Sequence, residues 1–244
     1  MKKICFVTTV YTTYKCFLKQ LSQHLYESGD YDISLICNND EEVVNDIPSF
    51  VHYHPVDMRR GVSLSAFGAI KKIGEILERE QFDIVQYSTP NAAFYTSIAA
   101  KKKKVPVRLY CQWGIRYMGF DGWRRNVFKY LEKKTCENST FIEVESHNIR
   151  DFSLDEKLYT PDRSCVIWNG SASGVDLNKF NISKKKYNKP MPKEEWWLFY
   201  PSFLKAADTQ QAVQEVKLLL YGTPDNVKEA APWTAYTSEG IMGF

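Results

Sequence analysis

What most constrains this chain is a regular alternation of short apolar runs, rich in β-branched and aromatic residues, with longer segments of helical period. Residues 4–8, 31–37, 50–54, 82–87, 105–111, 141–144 and 165–168 read as strands. Residues 14–26, 65–79, 91–103, 122–136 and 146–154 read as helices. In the first helix Phe17, Leu18, Leu21 and Leu25 are expected on one inward face, and in the second Ile70, Ile73 and Leu77. Gly29 follows the first helix in the usual place for a helix stop. Strands separated by helices of this length cannot form tight hairpins, so they must pair in parallel. The expected fold class is therefore α/β, a doubly wound and mostly parallel sheet.

Sheets of this kind bind ligands outside the carboxyl ends of their strands. Five loops fall there: 9–14, 57–63, 88–91, 112–120 and 145–148. Their hydroxyl, amide and aromatic side chains can hydrogen-bond a polyol and stack on a sugar ring, although any α/β loop is polar. The first turn, Thr9-Val10-Tyr11-Thr12-Thr13-Tyr14, lacks the G-x-G-x-x-G that admits a pyrophosphate, which argues against a nicotinamide-dependent oxidoreductase. Its hydroxyls either cap the helix or receive a polar ligand at the helix N-terminus. Trp113-Gly114 offers a stacking face beside a residue that permits close backbone approach, or else a core Trp at a turn. His147 alone of the four histidines follows a strand's carboxyl end, and His24 reads as structural. Asp30-Tyr31-Asp32 is a D-x-D at the amino edge of the sheet, where a solvated turn is expected rather than a metal site.

The six cysteines form no C-x-x-C pair, and most sit in apolar patterns where a thiol acts as a small hydrophobe. That implies a reducing, cytoplasmic setting and no bound metal. The basic, apolar start of the chain reads as a buried strand, because Thr8 and Thr9 interrupt it and no cleavage site follows. A net charge of +3 does not call for nucleic acid. Lys101 to Lys104 close a helix, where cations complement the dipole. The helix from residue 122 interleaves Arg124, Arg125, Lys129, Lys133 and Lys134 with Trp123, Phe128 and Tyr130. Such a surface either lies on anionic lipid or is a solvated face. On the first reading, Trp123, Arg124, Arg125 and Lys129 face the membrane.

Several segments resemble, in order, the N-terminal domain of the retaining GT-B glycosyltransferases of family four, above all those of capsule, exopolysaccharide and O-antigen loci. They are Lys3-Ile4-Cys5-Phe6-Val7-Thr8-Thr9, then Phe82-Asp83-Ile84-Val85-Gln86 before Ser88-Thr89-Pro90, then Gln112-Trp113-Gly114-Ile115-Arg116. The most specific is Val166-Ile167-Trp168-Asn169-Gly170-Ser171 with Gly174-Val175-Asp176-Leu177-Asn178-Lys179-Phe180. The resemblance covers residues 1–183 and implies a Rossmann-like domain, one half of a GT-B fold. It implies a saccharide or lipid-linked acceptor at the inner membrane, a nucleotide sugar such as a UDP-sugar as donor, and no metal or other cofactor. The acceptor contacts it suggests are Thr9, Thr12, Thr89, Trp113, Gly114 and Arg116, with Glu145 and Ser146 behind them. It assigns no catalytic residue here, because the family's are in a second domain.

Residues 184–244 depart from the family. After Lys186 there is neither G-R-x-x-x-x-K-G nor E-x7-E, and about 60 residues fall short of a domain of the usual ~100 or more. This stretch reads as a linker and atypical tail, as a frame change, fusion or truncation would leave. Two functions remain open. One is a glycosyltransferase of cell-surface polysaccharide synthesis, incomplete as written. The other is a non-catalytic acceptor-binding or assembly module that needs a partner chain to supply the donor half.

Overall fold

Alternate residues of each strand point to opposite faces, and both faces of the strands are apolar, so the chain builds a sheet covered on both sides. The computed structural model describes residues 1–39, 41–58, 65–167 and 170–172, all within one unit, Met1–Gly174. The tail expected over 184–244, and residues 168, 169 and 174–180 of the family-like segment, lie outside the described residues. Seven strands, β1 (Lys2–Val7), β2 (Tyr31–Cys37), β3 (Val51–Pro55), β4 (Ile84–Tyr87), β5 (Val107–Gln112), β6 (Phe141–Val144) and β7 (Ser164–Cys165), form one sheet. Their order is β3-β2-β1-β4-β5-β6-β7 and every pairing is parallel. The expected doubly wound α/β architecture is what the chain adopts.

Among the described residues seven α-helices connect the strands: α1 (Tyr11–Thr13), α2 (Lys19–Glu27), α3 (Glu41–Asp46), α4 (Ser65–Glu80), α5 (Pro90–Lys102), α6 (Gly122–Asn138) and α7 (His147–Asp155). On one face Ile4, Phe6, Ile33 and Leu35 pack under Tyr11, Tyr14 and Leu18. On the other, Cys5, Val7, Val85 and Tyr87 meet Ile73 and Leu77 of α4 and Ala92 and Ala93 of α5. Each such Leu, Ile or Phe contributes roughly 1.5–3 kcal/mol of burial. The small side chains of α5, with Ala99 and Ala100 also buried, let it sit deep between α4 and α6. The chain builds outward from β1 through β2 and β3, then crosses by α4 to the opposite side of β1. The resulting reversal between β1 and β4 is the topological switch point.

Three expectations need correction. The first helix begins at Tyr11, and a π turn, Tyr14–Leu18, joins α1 to α2. The inward face runs through Tyr11, Tyr14, Leu18 and Ser22, leaving Phe17 40% and Leu21 42% exposed. The wide turn sets the following residues back around the axis, and the Tyr14 hydroxyl bonds Ser22 Oγ at 2.7 Å. Second, β5 begins at Val107, not residue 105, because Pro106 has no amide to give a ladder and Lys104 holds a positive φ. Third, α3 was not foreseen in the polar stretch after β2. Of the cysteines, Cys5, Cys37, Cys111 and Cys136 are buried and Cys16 is exposed. Cys111 and Cys165 flank Glu143 in register on β5, β6 and β7. Two strand spacings, ~10 Å, put them beyond disulfide reach.

Candidate functional site

At the carboxyl edge, β1 and β4 part at the switch point, and the residues that follow them meet across it. The Thr9 amide donates to Thr89 Oγ1 at 3.1 Å, and the two hydroxyls are 2.9 Å apart. Ser88 is 1% exposed, yet among the described residues its Oγ has no hydrogen-bond partner. Helices begin on both sides, at Tyr11 and at Pro90. Their first amides have no intrahelical acceptor, which favours oxygen-rich ligands between them. Thr12 stands exposed on the first turn of α1.

Thr89 holds φ +63° and ψ +136°, a region that a β-branched residue enters only under strain. A Gly would sit there without strain, so the hydroxyl is retained against the backbone's preference. Thr89→Gly is expected to be more stable than Thr89→Ala by roughly 1–2 kcal/mol in urea titration. Both variants lose the same hydrogen bonds, so the difference isolates the backbone.

Beyond β5 the expected cluster divides. Trp113 turns toward α1 and α2, its ring 5.1 Å from that of Phe17, and its buried indole N–H faces the Glu143 carboxyl just outside strict hydrogen-bonding geometry. Gly114 takes φ +138°, which frees the chain to swing away. Arg116 then points to the other side of the sheet, donating to Asn91 Oδ1 at 3.3 Å, its guanidinium 4.6 Å from the centre of the Phe128 ring. Thr9 and Thr89 are thus brought together, while Trp113 and Arg116 flank them from opposite faces.

After β6, Ser146 caps α7, its Oγ accepting from the Ile149 amide at 3.3 Å. Burial pushes the Glu145 carboxyl above the ordinary carboxylate range. The Glu145 carbonyl accepts the Ser171 amide at 2.6 Å, and Gly170 packs directly on that peptide with φ +92°. His147 is exposed at the start of α7. Asp30 and Asp32 lie at the amino edge, Asp32 beside His52 at 3.1 Å, away from the crevice.

Sequence reasoning missed a buried polar network beneath the crevice. Glu132 of α6 accepts from Tyr110 Oη at 2.8 Å and Gln112 Nε2 at 2.7 Å, both on the same oxygen, Oε1. Gln112 Oε1 in turn accepts from Tyr159 at 2.9 Å and Ser153 at 3.2 Å. The available signal was position: Glu132 falls on the inward stripe of α6 with Phe128 and Cys136, where a carboxylate needs partners.

The basic helix also divides. Trp123 is 71% and Tyr130 60% exposed, and with Val127 they form one outward stripe. Arg124 is exposed, its guanidinium 5.6 Å from the Trp123 ring. Arg125 and Lys129 instead turn to Glu156, the first at 3.3 Å. Lys129 and then Arg125 hold the Glu156 carboxyl below its ordinary range. A depressed carboxylate stabilises the fold above its unfolded pKa, and that contribution is lost as pH falls through the folded value. Glu156→Gln is expected to lose ~1 kcal/mol or less at neutral pH. Its melting temperature should converge on the wild type's only as pH falls below the unfolded value, ~4.3, and on through the lower folded value.

A profile of the family described as Glycosyl transferase 4-like matches residues 3–146, from β1 to the cap of α7. Over 134 residues the chain is 26% identical to the capsular polysaccharide biosynthesis glycosyltransferase CapM of Staphylococcus aureus. That alignment covers 54% of this chain and 35% of CapM, so the chain spans about a third of the curated relative's length. Among solved structures, the UDP-N-acetylglucosamine 2-epimerase of Rickettsia bellii superposes with a TM-score of 0.57 at 19% identity, covering 76% of this chain and 50% of the other. Anabaena Alr3699/HepE, in complex with UDP and glucose, gives 0.53 at 14% identity, covering 81% and 50%. At these identities the two structures bear on the fold alone, a Rossmann-like doubly wound domain.

Proposed function

The chain belongs to the glycosyl transferase 4-like family, and from that membership we propose that it is the acceptor-side half of a sugar-nucleotide-dependent glycosyltransferase. The enzyme moves a sugar from a nucleotide-sugar donor, a UDP-sugar in the first instance, to a saccharide or lipid-linked acceptor in cell-surface polysaccharide synthesis. The switch-point crevice carries this reading. Its paired Thr9 and Thr89, the unpartnered Ser88 hydroxyl and two helix starts suit an acceptor's hydroxyl-rich end. Arg116, Trp113 and Glu145 border it, and no side chain there is assigned the chemical step. Departure of the nucleoside diphosphate needs positive charge aimed at the phosphates, usually the largest catalytic contribution. In this proposal the donor half supplies it.

The outward stripe of Trp123, Val127 and Tyr130 with Arg124 supports peripheral docking on an anionic membrane. There a lipid-linked acceptor would be presented to the crevice. Among the described residues no helix is long and apolar enough to cross a membrane. The test is transfer of label from UDP-glucose, UDP-galactose or UDP-N-acetylglucosamine to membrane extract by the purified chain mixed with the donor half of its relative CapM. Lipid-extractable label is expected, and Thr9→Val should abolish it. A second reading is an acceptor-binding module completed by a partner chain; residues 187–244 hold neither the Gly-Arg nor the paired-glutamate motif. Transfer that appears only with a native partner chain, and not with the donor half of CapM, would select it.

A further inference from the structure

Parallel sheets occur almost only with both faces covered. β1 and β2 comply: beyond their first two residues every side chain is buried, whichever way it points. β6 does not. Ile142 and Val144 are buried, while Phe141 and Glu143, which point to the opposite face, are only half-buried. The cause is where the helices lie. α4 to α7 pack on the side of Ile142 and Val144, and α1 to α3 pack on the other side but over β1 to β3. Among the described residues no helix covers β5 to β7 on that second side.

The uncovered strip is apolar. Leu109 and Phe141 are direct neighbours in register, and Val107 and Ile167 are exposed. None of the four belongs to either core. Two carboxylates interrupt the strip: Glu143 and Glu145, alternate residues on one face, roughly 7 Å apart along the chain. Burial pushes both carboxyls above the ordinary range, and the charge of Glu145 adds to the rise at Glu143. Among the described residues neither is paired with a Lys, Arg or His. Half-buried like charges of this kind are costly until a cation joins them.

The carboxylates repel an anionic lipid surface and a phosphate. A saccharide is gripped in a cleft, and this is an open sheet face. A second copy in a two-fold contact would set Glu143 and Glu145 against their own counterparts. An apolar helix with Lys or Arg toward its middle satisfies both the strip and its charges.

We propose that the uncovered face of β5 to β7 seats an amphipathic, cationic helix of the polypeptide that supplies the donor half. The alignment with CapM takes in only 35% of that protein, so most of such an enzyme lies outside the matched stretch and can provide the cover. The donor half as source rests on the transferase reading; the need for an apolar, cationic cover does not.

Sedimentation velocity on the full chain mixed with the donor half of CapM tests this. A complex is expected, weakened about tenfold or more by Leu109→Asp, and likewise by Glu143→Lys combined with Glu145→Lys. Added salt should weaken the wild-type complex but not that of Glu143→Gln with Glu145→Gln. Phe67→Asp, on α4 across the sheet, should leave it intact. Where a variant folds poorly, alkylation of Cys165 in the wild type answers instead. Cys165 lies in the strip beside Glu143 in register, and the complex should slow its reaction. Absence of a complex, a complex that the folded variants do not weaken, or a Cys165 equally reactive within it each overturns the proposal. A complex that transfers no sugar counts against the transferase reading alone. Transfer with Cys165 unprotected counts against this interface alone.

Discussion

Glu132→Ala is expected to cost about 3–4 kcal/mol, the largest single loss in the domain outside the apolar core. The substitution leaves the Tyr110 hydroxyl and the Gln112 amide without an acceptor, and each orphaned donor costs roughly 1–3 kcal/mol. The damage spreads because Gln112 also receives Ser153 and Tyr159, which tie α7 and the chain after it to β5. Against a total stability of about 5–15 kcal/mol, such a loss should be plain in urea titration. Glu132→Gln keeps an acceptor and should stay within about 1 kcal/mol of wild type. The pH dependence runs opposite to that of Glu156. Burial raises the Glu132 carboxyl, so the folded state holds its proton longer than the unfolded chain does. Its stabilising effect is full below the unfolded pKa, ~4.3, and declines as pH rises through the folded value. The Gln variant should lack that decline. A Glu132→Ala protein as stable as wild type would mean that the network is solvated and contributes little.

Gly170→Ala is the second large effect. A Cβ at this position would lie well inside contact distance of the Glu145 carbonyl oxygen and 3.3 Å from Ser146 Cα. Both obstacles are backbone, which cannot rotate aside, and φ +92° already disfavours any residue but Gly. About 3 kcal/mol is the expected cost if the turn stays in place. If it lets go, the Ser171-to-Glu145 hydrogen bond is lost and the Ser171 amide should exchange with solvent at least tenfold faster. Either outcome is visible, the first as a lower melting temperature and the second by hydrogen exchange. A variant matching wild type in both would show that the turn does not pack on β6.

Much of this was legible in the sequence, for identifiable reasons. The parallel sheet followed from strands such as Ile33-Ser34-Leu35-Ile36 lying between helices too long for hairpins. Thr9 and Thr89 were singled out because strand ends in such sheets converge, although 80 positions separate them. Phe17 and Leu21 were misplaced because a 3.6-residue period assumes an unbroken α-helix, and a π turn leaves no mark in composition. Trp113 and Arg116 looked like neighbours, yet the backbone swings at Gly114 and sends them to opposite faces. Arg125 and Lys129 could not be told from Arg124 without knowing where Glu156 would fall. Glu132 was passed over because a glutamate in a charged helix reads as solvated until the inward stripe is drawn.

The switch point also dictates an order of assembly. β2 reaches β1 after about two dozen residues, but β4 must cross the chain's first 80 to claim the other edge of β1. Contacts closed over such distances come late and set the pace of folding. On the ribosome, β1 to β3 can therefore emerge and pair while β1 keeps an open edge, with Thr9 facing nothing. The pair of hydroxyls that marks the crevice exists only once β4 has closed that edge, so a nascent chain halted before Ile84 has no crevice at all.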